Sequence, residues 1–358
     1  MTMLSSPKRA WSVRSTGITM SAAPMISTAT APIRNHRWPL RLTRRTVRIT
    51  MNASAAYTRP NCQRKRQNTL SASRCSSDGS TPRGPRYFRP GSTPPATPPS
   101  TIASGSSGNC TYIGTDYTKI LIDAGISGKK IEEGLANLKL TGDKIDALFI
   151  THEHVDHIKG AGILSRRFDI PIFATADTWA AMEEGLGRIA PSNKRIVYAD
   201  EVCAVNDLCV KPFRIPHDAA EPVGYNVFSG EKKITLATDI GHVTDTIRES
   251  IEDSDVLLLE ANHDVEMLKK GGYPWSLKQR ILGENGHLSN HTAGRLLAEV
   301  MTGKMKYVFL GHLSEENNNP HLAYETVEEI LRNNRIEVGT HVKMDMASRF
   351  QNGVKVEL

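Results

Sequence analysis

Between Thr151 and His157 the chain reads Thr-His-Glu-His-Val-Asp-His, which puts three imidazoles and the Asp156 carboxylate within six residues. The apolar run Leu148-Phe-Ile150 leads straight into it, so these groups are expected in a loop at the end of a strand. Alternate residues of an extended segment point to the same side. His152 and His154 can therefore grip one cation together, while Asp156 and His157 turn onward toward a second position. Imidazoles mixed with a carboxylate suit Zn, Mn or Fe better than the all-oxygen sites of Ca or Mg. A solvated polar loop is the plain alternative, but so many ligand types at one strand end argue against it.

The elements that must carry this loop belong to an α/β pattern of short apolar runs alternating with helical stretches. Strands are expected over 118–123, 147–151, 172–174, 208–212, 225–229, 233–238, 256–260 and 306–311. Helices are expected over 129–138, 158–168, 178–186, 291–301 and 323–333, each with an apolar stripe at three- and four-residue spacing. No repeat of 20–50 residues is seen. No apolar run approaches the roughly 18 residues that a membrane span needs.

His-x-His-x-Asp-His is the signature of the metallo-β-lactamase superfamily, and the remaining motifs follow in order. Asp123 in Ile120-Leu-Ile-Asp resembles the aspartate that braces the ligand loop. His217 in Ile215-Pro-His-Asp, Asp239 in Ala237-Thr-Asp and His312 in Phe309-Leu-Gly-His resemble the later ligand motifs. The resemblance implies an αββα sandwich, two mixed sheets with helices on the outer faces. It also implies two divalent cations, with His152, His154 and His217 on the first, Asp156, His157 and His312 on the second, and Asp239 shared.

Spacing narrows the resemblance. His217 and Asp239 are 22 residues apart, too close for the arm of the tRNA-processing members; Asp239 and His312 are 73 apart, too close for the added domain of the RNase J and DNA-repair members. The runs Ile102-Ala-Ser-Gly-Ser-Ser-Gly-Asn-Cys110, Leu259-Glu-Ala-Asn-His-Asp264 and Gly286-His-Leu-Ser-Asn290 are similar to the YycJ/WalJ family, compact enzymes regarded as 5′→3′ DNA exonucleases. In that family a strand normally begins just upstream of the Ser-Gly-Ser-Ser-Gly loop, where this chain has prolines. The family implies a phosphodiesterase using a metal-bridging hydroxide, with Asp156, His287 and His263 as catalytic candidates. For His263 a supporting role is equally compatible. Ser104, Ser106 and Ser107, in a loop of small residues, are phosphate-binding candidates, as are Ser289 and Asn290 at the start of a helix.

Composition bounds the partners. Residues 1–100 hold seventeen Lys or Arg and one acid, Asp78, whereas residues 101–358 hold twenty-eight basic and thirty-seven acidic side chains. The positive excess is confined to a Ser-, Pro- and Arg-rich leading segment with no sustained apolar period, expected to be disordered. Three origins fit it: an organellar transit peptide, a basic arm adding DNA affinity, and translation begun upstream of the true start. The catalytic domain is expected over 101–358 and is acidic, so DNA affinity must come from the metal site and local patches at Arg166-Arg167, Lys269-Lys270, Lys278 and Arg280. Five cysteines form no CxxC pair, which fits a reducing cytoplasm and excludes a disulfide scaffold. A small-molecule phosphodiester or thioester hydrolase on the same fold, and a non-catalytic DNA-binding protein acting through its tail, are the rival expectations.

Overall fold

The computed structural model describes residues 48–50, 104, 108–347 and 355–358, all within one unit spanning Arg44–Leu358. Among the described residues two seven-stranded sheets face each other. The first runs β14 (Lys355–Glu357), β1 (Arg48–Thr50), β2 (Thr111–Gly114), β3 (Lys119–Ile122), β4 (Ala147–Phe149), β5 (Ile172–Ala174) and β6 (Lys194–Ile196). The second runs β13 (Lys343–Met346), β12 (Tyr307–Gly311), β11 (Val256–Glu260), β10 (Lys232–Ala237), β9 (Val223–Ser229), β8 (Leu208–Arg214) and β7 (Cys203–Val205). Each sheet joins an antiparallel half to a parallel half, the parallel pairs being β3 to β6 and β10 to β13.

Side-chain alternation sorts the layers. In β11, Val256 and Leu258 enter the core between the sheets, while Leu257 and Leu259 face the helices. In β4, Phe149 points inward, where it stacks on Phe173 with ring centroids 4.6 Å apart, and Leu148 points outward. The outer layer on the first sheet is α1 (Gly128–Asn137), α3 (Ala161–Phe168) and α4 (Ala176–Leu186), through Ile131, Leu164 and Met182. On the second sheet it is α5 (Asp245–Ile251), α8 (Asn290–Val300) and α9 (Pro320–Asn333), through Ile247, Leu297 and Val327. The result is the expected αββα sandwich. No helix among the described residues is long and apolar enough to cross a membrane.

Two elements differ from the sequence reading for reasons the structure gives. The helix expected over 158–168 is broken into α2 (Val155–Ile158) and α3. At the break, the Gly160 N–H donates to Ala124 O at 2.7 Å, and a Cβ on Gly160 would lie 2.5 Å from Ile126 O. Chain crossing there leaves no room for a continuous helix. Strand β1 comes from the leading segment, which was expected to be disordered; it pairs antiparallel with β2 and β14. Two β-branched residues, Ile49 and Thr50, suit such a strand. Of the short helices missing from the sequence reading, α6 (Val265–Lys270) and α7 (Trp275–Leu282) fill the connection between β11 and α8.

Candidate metal centre

The chemistry-bearing residues gather beyond the carboxyl ends of the parallel strands. Asp123 follows β3, His152 to His157 follow β4, Asp239 follows β10, Glu260 ends β11 and His312 follows β12. His217 arrives from β8. Asp123, Asp239 and His312 adopt left-handed backbone, with φ of 62°, 60° and 55°, a conformation that costs a non-glycine residue about 1–3 kcal/mol. Each thereby turns its side chain inward where an extended residue would carry it along the strand. Gly125 allows the ligand loop to close down, since a Cβ there would lie 1.5 Å from Asp156 O.

Two clusters of potential ligands result. His152 Nε2 lies 3.0 Å from His154 Nδ1, which lies 3.3 Å from His217 Nε2. In the second cluster His157 Nε2 is 3.5 Å from Asp156 Oδ2 and 3.4 Å from Asp239 Oδ2, and His312 Nε2 is 3.7 Å from Asp156 Oδ2 and 3.3 Å from Asp239 Oδ1. Asp239 Oδ1 also stands 3.7 Å from His217 Nε2, between the clusters. These separations run from 3.0 to 3.7 Å. They match the edges of a coordination shell whose metal–ligand bonds are about 2.0–2.2 Å. Asp239 Oδ2 and His312 Nε2 are buried with no hydrogen-bond partner, as atoms reserved for a cation would be. The residues present therefore fit a pair of divalent cations.

The far side of the ligand rings is occupied as the chemistry requires, because a ligating imidazole gives its other nitrogen to a fixed acceptor. His157 Nδ1 pairs with Asp123 Oδ2 at 2.8 Å. Thr151 donates its hydroxyl to Asp123 and stands 3.0 Å from His152 Nδ1. His217 Nδ1 lies 3.2 Å from Gly286 O, and His312 Nδ1 lies 2.9 Å from Glu260 Oε1. Glu260 is fully buried; it also accepts from His287 Nδ1 at 2.7 Å and, through Oε2, from the Ile240 and Leu288 N–H groups at 2.8 and 3.1 Å. Burial alone would raise its carboxyl, but His287 and His312 hold it below the usual range.

Glu260 was not singled out from sequence. Its signal was a lone carboxylate ending the buried run Val256-Leu-Leu-Leu, the same arrangement that pointed to Asp123 after β3.

The two clusters differ in protonation when no cation is bound. Burial lowers His152 and His217, leaving neutral rings ready to ligate. Burial would lower His157 and His312 too, but Asp123 and Asp239 raise His157, and Asp239 with Asp156 and Glu260 lifts His312 to about 10. Both of the latter rings are thereby biased toward their protonated form and must lose that proton to ligate. Loading at pH 7 is therefore expected to release on the order of one to two protons per chain. A weakly buffered indicator titration checks this; cation uptake without acidification would show that these rings were already neutral.

The other candidates are placed less favourably. Ser289 caps α8, accepting from Thr292 N at 3.1 Å. Asn290 exchanges amide hydrogen bonds with Asn318 at 2.9 and 2.8 Å. Ser104 is buried against the His312 backbone. In these contacts the three serve loop closure and helix capping, while Ser106 and Ser107 lie outside the described residues. His263 is buried, burial pushes it down to about 4, and it does not line the cavity over the clusters.

That cavity measures about 440 Å³; His287 lines it together with His154, Asp156, His217, Asp239 and His312. The basic patches are largely tied up locally. Arg280 pairs with Asp218, Arg167 with Glu132, and Lys269 and Lys270 with Glu266. Arg166 donates to Leu186 O, and Lys278 is buried, donating to Lys269 O and Gly271 O at 2.8 and 2.7 Å. Lys278 is thus a tie between α6 and α7, with no surface left for DNA.

Comparison with known proteins agrees with this geometry. The model of a beta-lactamase superfamily domain matches residues 118–312. The chain is 42% identical to the exodeoxyribonuclease YycJ of Bacillus anthracis over 240 residues, covering 67% of this chain and 91% of that protein. It is 41% identical to the exodeoxyribonuclease WalJ of Streptococcus pneumoniae over 247 residues, covering 68% and 92%. Among solved structures, the metallo-beta-lactamase fold protein YhfI of Bacillus subtilis superposes with a TM-score of 0.55 at 16% identity, covering 72% of this chain and 98% of that one.

Proposed function

Since the chain belongs to the beta-lactamase superfamily, and within it to the family of the YycJ and WalJ exodeoxyribonucleases, we propose that it is a metal-dependent phosphodiesterase that removes nucleotides from the 5′ end of DNA. The observation that carries this reading is Asp239, one buried carboxylate whose oxygens reach both ligand clusters. In the proposed assignment His152, His154 and His217 hold one cation, Asp156, His157 and His312 the other, and Asp239 bridges them. The mixture of imidazole and carboxylate favours Zn, Mn or Fe. When bound, such a pair supplies an acidified water and neutralises charge on the phosphoryl oxygens.

The chain's own residues do the rest. Asp123, Thr151 and Glu260 fix ring orientation, so that substrate phosphate meets a preorganised site. His287 faces the cavity, and its Nδ1–H is committed to Glu260. It therefore acts through Nε2, donating a proton to the leaving oxygen or a hydrogen bond to a non-bridging one. Cytoplasmic location belongs to the same reading and is supported by free thiols at Cys110, Cys203 and Cys209.

The test is to load the full chain with Zn or Mn, measure metal content, and incubate it with end-labelled single- and double-stranded DNA and RNA. Progressive shortening of 5′-phosphorylated DNA, lost on chelation, is expected with about two cations per chain. Steady hydrolysis of a small ester beside intact DNA would replace this reading with a small-molecule hydrolase.

A further inference from the structure

Metal binding accounts for only part of the cavity's lining. Tyr273 and, from α7, Leu277 and Ile281 line it as well. Leu277 and Ile281 are four residues apart and so share one helix face, and Tyr273 enters from the loop just before it. All three are only half-buried. Arg280 lines the same cavity, its guanidinium tethered through Nε by Asp218. An apolar, aromatic surface open to water beside a cluster of charged ligands adds nothing to cation binding. It suits a substrate that joins a phosphodiester to a flat apolar group. Nucleobases have that character and stack on aromatic side chains regardless of sequence. At about 440 Å³ the cavity falls in the range that takes one small-molecule-sized ligand, room enough for a terminal nucleotide.

We propose that this wall is the subsite for the base of the terminal nucleotide, with Tyr273 stacking on it over Leu277 and Ile281, and Arg280 on the same wall adding positive charge beside the phosphodiester. The proposal rests on the exonuclease reading and adds the group that makes the enzyme recognise an end. Tyr273 is then a substrate-contacting specificity residue, distinct from the ligands.

Two 5′-phosphorylated single strands, identical except that the first nucleotide carries thymine or is an abasic tetrahydrofuran, separate the alternatives. The Mn-loaded full chain is expected to cleave the thymine strand with a roughly tenfold higher kcat/KM. Tyr273→Ala should level the two while keeping its metal content, and Tyr273→Phe should retain the preference. Equal cleavage by the parent, or a preference that survives Tyr273→Ala, overturns the proposal. If neither strand is cleaved the exonuclease reading falls; fluorescence anisotropy with the same strands then decides the subsite, equal affinities overturning it.

Discussion

Asp239→Asn is expected to leave a folded protein whose turnover on 5′-phosphorylated DNA is lower by on the order of 10³-fold or more. The carboxylate is buried, and its two oxygens face His157, His217 and His312. An amide in its place keeps the shape but loses the charge, and it turns an N–H donor toward nitrogens that should be ligating. Backbone effects should be small, because Asn tolerates the left-handed φ of 60° that Asp239 adopts. The chelated variant should thus unfold within about 4 °C of the chelated parent, while its cation content falls below two per chain. Nuclease turnover that survived this change would remove the shared carboxylate, and with it the two-cation mechanism.

Glu260 is the second position where a large effect is expected, and its two variants separate two roles. Glu260→Ala strands four donors, the His287 and His312 ring N–H groups and the Ile240 and Leu288 amides. At about 1–3 kcal/mol for each buried donor left unsatisfied, the variant should be strongly destabilised, read as loss of soluble protein or a sharply lowered Tm. Glu260→Gln keeps the volume but sets an amide N–H against donors on one side. The expected result is a 10–100-fold weaker cation affinity confined to the cluster that contains His312, with turnover falling in parallel. Competition against a chromophoric chelator measures this; unchanged affinity would reduce Glu260 to a packing residue.

These two residues also mark the limit of what the sequence could say. Asp239 was readable because it ends a run, Lys233 to Thr238, with the look of a strand, and falls in order among motifs that resemble one family. Glu260 ends an equally clear strand, β11, yet its role depends on contacts with residues 27 and 52 positions away, which exist only once β10, β11 and β12 lie side by side. The long apolar strands were legible for the same local reason. Edge strands β6 and β7 bury too little to show an apolar run, unlike the equally short β4 and β5, and the short helices α5 to α7 carry too few residues to show a period. For the serine and asparagine candidates the sequence leaves two roles open, because small polar residues serve loop closure and helix capping as readily as ligand binding. Only the contacts of Ser104, Ser289 and Asn290 distinguish the two.

The inward turn at Asp123, Asp239 and His312 bears on how such a protein could be altered. Each holds a backbone shape that glycine would adopt more comfortably, in exchange for a side chain that the reaction requires. A screen for sturdier variants that ignored turnover would therefore be drawn to these three positions first, and each gain there would dismantle the enzyme. Durability has to be sought in the outer layers, where Val327 of α9 packs against Gly294 of α8 and no such conflict arises.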